Sequence, residues 1–272
     1  MKLTCLKCEI HDSGLCEVSL NRPKVHNAFD DQLIKELTEL LERLQNEKRV
    51  RLLVLKGEGK SFSAGADLNW MRAMADFSWK QNYQDSLGLA TLMSTLANFT
   101  RPTLALVHGS AFGGGVGLVA CCDFAIAAES TKFSLSETKL GLVPAVISPY
   151  VVRAIGKRQA YRTFYSAEVF DALEAQRMGL VQVTYADKEF EKESAAFVEK
   201  ILNNGPEAIY QSKHLIEYVA DKPITEDVIR DTAQKIADIR ATAEGKEGVS
   251  AFLEKRKPNW DEAKPTSPDM LA

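Results

Sequence analysis

The chain has 272 residues and a formal net charge of −3, from 34 Lys and Arg against 37 Asp and Glu; its length allows one large domain, or one with an appendage. Hydrophobic residues at 45% and charged ones at 26% exclude wholesale disorder, and the near-neutral balance argues against nucleic acid or an acidic membrane as partner. No apolar stretch approaches the roughly 18 residues needed to cross a bilayer, and Lys2, Lys7 and Glu9 interrupt any leader-like start, so a cytoplasmic protein is expected.

The segment around Cys5 and Cys8 alternates like a strand. Its C-x-x-C spacing has no second half, so neither a zinc site nor a redox pair is expected. Strand-like runs follow at Cys16 to Leu20, Leu52 to Lys56, Thr103 to Val107 and Phe124 to Ala127. Helical patterns fall between them. After a cap at Asp30 or Asp31, Leu33, Leu37, Leu40, Leu41 and Leu44 recur at i, i+3, i+4 spacing over Gln32 to Glu47. Strands alternating with helices indicate an α/β fold with largely parallel pairing. Beyond about residue 187 strand signals stop. Helices are predicted over Phe190 to Leu202, Glu207 to Ala220 and Thr225 to Thr242, with a short one from Gly248 to Arg256. The tail after Pro258, broken by Pro265 and Pro268, is expected to be loosely ordered. The plan is an α/β body, residues 1–195, followed by a helical part, residues 196–272.

The densest chemical signal is Gly109-Ser110-Ala111-Phe112-Gly113-Gly114-Gly115-Val116-Gly117-Leu118, between a strand and an apolar segment able to form a helix. Glycines there let a ligand approach backbone N–H groups at a helix N-terminus, which suits a phosphate or a developing oxyanion. A second glycine loop, Phe62-Ser63-Ala64-Gly65-Ala66-Asp67-Leu68, also follows a strand. If the two strands are neighbours in a parallel sheet, the loops share one crevice. A dinucleotide site would need its glycine fingerprint after the first strand, where Asn21-Arg22-Pro23-Lys24-Val25-His26-Asn27-Ala28 stands instead.

The phrases NRPKVHNAF, FSAGADL, GSAFGGGVGLVACCD, FSLSETKLGLVP and EGVSAFLEKRKP, in this order over residues 10 to 258, resemble the enoyl-CoA hydratase/isomerase (crotonase) superfamily. GGGVGLVACCD and LVPAVISPYV look most like the bacterial hydratases of methylglutaconyl-CoA and isohexenylglutaconyl-CoA, within leucine and acyclic-terpene breakdown. The resemblance implies a spiral of ββα units with a helical C-terminal trimerisation part, assembled as a homotrimer or homohexamer. It implies an acyl-CoA thioester as substrate, with no cofactor beyond the CoA of the substrate and no metal.

Residue by residue, the resemblance makes the N–H groups of Ala66 and Gly114 an oxyanion hole for the thioester carbonyl. Lys24, Val25 and Ala64 match positions contacting the nucleotide part of CoA, and Phe252 and Lys255 match C-terminal positions of its pocket. Glu137, in Phe133-Ser134-Leu135-Ser136-Glu137, matches one of two glutamates typical of the family's hydratases. The other position is Gly117. A lone carboxylate can move a proton for hydration, or shuttle one between two carbons as an isomerase does. Gly117 is expected to leave room beside the reacting carbons, and Ser136, Ser148 and Tyr150 are candidate helpers whose simpler roles are packing or capping. His26, His108, Asp67 and Asp123 read as structural residues, and Trp70, Met71 and Met74 as core or acyl-pocket lining. The expected reaction is syn addition of water across the 2,3-double bond of a branched enoyl-CoA. A Δ3,Δ2-enoyl-CoA isomerase and a catalytically weak CoA-binding protein are the rivals.

Overall fold

A computed structural model describes residues 3–260. Its main sheet has six strands: β1 (Leu6–Ile10), β2 (Leu15–Leu20), β3 (Leu52–Gly57), β4 (Thr103–Val107), β6 (Phe124–Ala128) and, at the far edge, β9 (Val183–Tyr185). They lie in the order β1-β2-β3-β4-β6-β9. Only β1 is antiparallel to its neighbour; every other pairing is parallel. Parallel strands have both faces covered, and Leu52, Leu53, Val54 and Leu55 are accordingly all buried. A second sheet takes β5 (Ser110–Phe112), β7 (Lys132–Ser134) and β8 (Val169–Asp171), with β7 in the middle.

Helix α1 (Asp31–Leu44) starts where Asp30 accepts the Leu33 N–H at 2.8 Å, satisfying one orphan donor of the first turn. Its five periodic leucines are buried, and it packs against α3 (Trp79–Ala97). A short α2 (Leu68–Met74) precedes α3, while α4 (Gly114–Cys121) packs between α3 and α5 (Ser148–Ser166). Gly156 interrupts α5 at φ +73°. Then come α6 (Ala172–Met178) and α7 (Phe190–Leu202). No helix among the described residues is long and apolar enough to cross a membrane.

The chain divides into two compact units between Val198 and Glu199. The second contains α8 (Pro206–Val219), α9 (Glu226–Ala241) and α10 (Ala243–Leu253). Helix α10 begins five residues before the predicted Gly248. Thr242 both ends α9 and caps α10, accepting the Gly245 N–H at 3.0 Å, so one residue replaces the expected break. Glu244 then reaches the start of α8, where Gly205 offers no side chain, and accepts the N–H groups of Glu207 and Ala208 at 3.0 and 2.8 Å. The tail beyond Trp260 lies outside the described residues.

Candidate active site

The two glycine loops are joined through backbone. Ser63 N–H donates to Ser110 O at 3.0 Å, and Phe112 N–H donates to Ser63 O at 2.9 Å. At Gly65, φ is +90° and a Cβ would lie 3.1 Å from Phe112 O, so only glycine allows this approach. The first loop is held from behind by Phe29, whose N–H donates to Gly65 O at 2.6 Å and whose carbonyl accepts from Asp67 N–H at 2.8 Å. In a trans peptide the C=O and N–H point in opposite directions. With Gly65 O turned towards Phe29, the Ala66 N–H is turned away from it, and it has no acceptor among the described residues.

The same logic applies at the helix. Gly113 O accepts the Gly117 N–H at 3.2 Å inside α4, so the N–H of the following Gly114 points out of the helix N-terminus. It too has no acceptor among the described residues. The Phe29 ring lies beneath it: a Cβ on Gly114 would meet Phe29 Cε2 at 3.2 Å.

Parallel pairing brings Glu137 to this loop. Strand β5 pairs with β7, Phe112 opposite Ser134, and Gly113 N–H donates to Ser134 O at 2.9 Å. The two chains leave the small sheet side by side, one into the glycine helix and the other into the 3-10 turn that begins at Glu137. A Cβ on Gly113 would lie 3.1 Å from Glu137 Oε1, and Gly113 holds φ +49°, ψ −116°. The Glu137 side chain neither caps the turn nor enters an ion pair among the described residues. Its Oε2 is buried with no hydrogen-bond partner. Burial raises its pKa above the ordinary 4.5.

At Gly117 the expected opening is closed. A Cβ there would lie 2.3 Å from Ile147 Cγ2 and 3.1 Å from Met93 Cε, so α3 and the start of α5 fill the space with apolar atoms. The three hydroxyls divide. Ser148 Oγ donates to Ala145 O at 2.8 Å within its own turn, Tyr150 packs against the core, and Ser136 makes no side-chain cap bond.

The structure brings the Lys24–Val25 turn to the loop of Ala64, whose N–H donates to His26 O at 2.9 Å; Lys24 and Val25 themselves are exposed. Phe252 and Lys255 lie in the second unit, Phe252 in the last turn of α10 with 81% of its surface exposed. His108 meets Gly59 O at 2.9 Å, Asp123 accepts the Thr103 N–H at 2.8 Å, and Asp67 caps α2, all structural tasks. Burial alone would raise Asp67, but N–H bonds from Asn69 and Trp70 together with Arg22 outweigh it and hold the carboxyl low.

Asn27 is the residue that sequence reasoning missed. Fully buried at φ +55°, it accepts the Arg22 N–H and donates to Glu58 O and Ser61 O, tying the Lys24–Val25 turn to the segment that leads into the first glycine loop. Its one sequence signal is that Asn tolerates left-handed backbone better than most residues. A cavity of about 850 Å³ opens among α1, α2 and α3, and neither Glu137 nor Gly114 lines it. Glu9, His11 and Glu17 come within metal-ligating reach on the β1–β2 hairpin, where Glu17 already pairs with Lys56 at 2.5 Å.

Two glycine loops off a mostly parallel sheet, joined through backbone and with the Glu137 carboxylate beside the second, belong to an α/β protein of the crotonase fold. A profile of the enoyl-CoA hydratase/isomerase family matches residues 11–263; the chain belongs to this family. A Legionella pneumophila structure assigned to the enoyl-CoA hydratase/isomerase (crotonase) class is 49% identical. The match covers 95% of this chain and 100% of that one, with a TM-score of 0.91. An enoyl-CoA hydratase from Shewanella pealeana is 43% identical over 95% of this chain and 97% of its own, with a TM-score of 0.88. A crotonyl-CoA hydratase of Syntrophomonas wolfei is 33% identical over 254 residues, 92% of this chain and 95% of that one.

Proposed function

We propose that this protein is an enoyl-CoA hydratase that adds water across the 2,3-double bond of a branched, methylglutaconyl-like acyl-CoA thioester. The observation that carries the reading is the Glu137 carboxylate, set against the glycine loop with Oε2 buried and without a hydrogen-bond partner. Lys24, Val25 and Ala64, with Phe252 and Lys255, are assigned to CoA. The thioester oxygen accepts from the Ala66 and Gly114 N–H groups, which stabilise the negative charge that builds on it. Glu137 takes a proton from water as the water oxygen bonds to C3, and the C2–C3 π electrons move into the enolate. The same carboxyl then returns the proton to C2, completing a syn addition. No cofactor beyond the substrate's own CoA is needed, and the assembly is assigned as a cytoplasmic homotrimer or homohexamer.

Isomerase chemistry is the second reading, favoured by the apolar filling beside Gly117, which leaves no room there for a second carboxylate. In it Glu137 removes a proton from C2 and delivers one to C4. A panel of straight, branched and carboxylated enoyl-CoAs, with products analysed for 3-hydroxyacyl or migrated-alkene esters, separates the two. Under either reading, Glu137→Gln is expected to keep affinity for CoA esters and lower kcat by about 10²–10⁴-fold. Hydroxylated product from the branched, carboxylated ester supports the hydratase. Migration alone supports the isomerase, and no turnover on any ester leaves a CoA-binding role.

A further inference from the structure

The β1–β2 hairpin carries two thiols that the chemistry above does not use. The Cys5-x-x-Cys8 spacing is not the pair, because side chains three residues apart on an extended chain fall on opposite faces. Cys5 is buried and meets Thr4 Oγ1 at 3.7 Å instead. In the hairpin register Cys8 stands opposite Val18, and Ile10 opposite Cys16. Cys8 and Cys16 are therefore diagonal neighbours on one face, and their sulfurs lie 4.0 Å apart. Cys16 is fully buried, whereas Cys8 is half-buried. The remaining two cysteines are buried in α4 and at its end, with Cys121 against Met93 Sδ at 3.7 Å. All five are free thiols.

We propose that Cys8 and Cys16 form a peroxide-reactive dithiol, in which Cys8 is oxidised first and Cys16 closes a disulfide across the hairpin. A reactive thiol that solvent can reach, next to a buried resolving one, is the arrangement of a reversible redox site. The hydrogen bond with Cys16 lowers the Cys8 thiol and raises that of Cys16, and burial adds to the second effect. Cys8 is thus the nucleophile. Its thiolate attacks one oxygen of hydrogen peroxide, the O–O bond breaks, and the departing hydroxide leaves as water with the thiol proton. Cys8 is then a sulfenic acid. Cys16 sulfur attacks Cys8 sulfur, the S–S bond forms as the S–O bond breaks, and the second hydroxide leaves as water with the Cys16 proton. Two thiols are oxidised to one disulfide and one peroxide is reduced to two waters. Closure asks the sulfurs to move from 4.0 Å to about 2.05 Å.

The test uses the full chain treated with hydrogen peroxide, then denatured, alkylated with iodoacetamide and weighed intact. Untreated protein is expected to carry five alkyl groups, one per cysteine. Treated protein should carry three, with two hydrogens lost, a peptide linking Cys8 to Cys16, and all five sites restored by dithiothreitol. Cys8→Ser should show the same alkylation before and after peroxide. In Cys16→Ala, Cys8 should stop at the sulfenic acid and take a dimedone adduct. Retention of five alkyl groups in treated wild type overturns the proposal. So does a link between any other cysteines, or a Cys8 sulfinic acid beside a Cys16 that still alkylates.

Discussion

At Glu137, burial outweighs the one hydrogen bond that opposes it, from the residue's own backbone N–H. The carboxyl loses water without gaining a hydrogen bond at Oε2, so its charged form is disfavoured and its pKa rises above 4.5. A group with a raised folded-state pKa holds its proton more tightly in the folded than in the unfolded chain. It therefore favours folding fully below about pH 4.5, and that contribution is lost as pH rises through the folded-state value. Glu137→Gln imitates the protonated form at every pH. We expect its melting temperature to match wild type near pH 4 and to exceed it increasingly towards neutrality. Calorimetry across that range checks this, and equal or lower stability of the variant at neutral pH would contradict the burial argument. The rate follows the opposite sense. Glu137 must be ionised to accept a proton, so hydration should rise with pH through the same raised value.

Helices α4 and α5 meet at Gly117, where a side chain would collide with Ile147 Cγ2 at 2.3 Å. The position is glycine because an isoleucine on the neighbouring element occupies its side-chain volume. Gly117→Ala should therefore cost about 1–3 kcal/mol through overpacking. Ile147→Ala alone should cost about 2–5 kcal/mol through the cavity it leaves. Combined, the two should cost clearly less than their sum, because each relieves the other's defect. Urea denaturation of the three variants measures this coupling, and simple additivity would show that the contact is not what excludes a side chain. A carboxylate placed at 117 needs the same relief before it can be tested as a catalytic group.

On the scale of the whole molecule, each unit leaves large apolar side chains in water. The first exposes Val143 and Tyr165, and the second exposes Ile224, Phe252 and Leu253, each by 70% or more. Apolar surface of this kind marks association sites when it is contiguous, and homo-oligomers close by symmetry. Light scattering should return about three or six times the 30.1 kDa chain mass. A species that stays at 30.1 kDa at all concentrations, and still turns over enoyl-CoA, would remove the oligomer from the account.

What the amino-acid order determined by itself is what depends on near neighbours. The leucines of α1 repeat with the helix period, the apolar runs of β2, β3, β4 and β6 read as buried parallel strands, and α7 falls on Phe190–Leu202 as predicted. The glycine loops were also legible, because loop glycines carry chemical meaning where they stand, whereas Glu137 stood out only through the family resemblance of its phrase. Only the tertiary structure decided the rest. Strands β5, β7 and β8 have three residues each, too few for a period to show; they exist because each finds a partner, and that pairing sets Glu137 beside Gly113. Asn27 bonds across 31 and 34 residues, Gly117 is matched to an isoleucine 30 positions on, just before α5, and Cys8 meets Cys16 rather than Cys5 because of strand register. Periodicity is a local property of the chain. Which side chain fills a given volume is settled only when distant segments pack together.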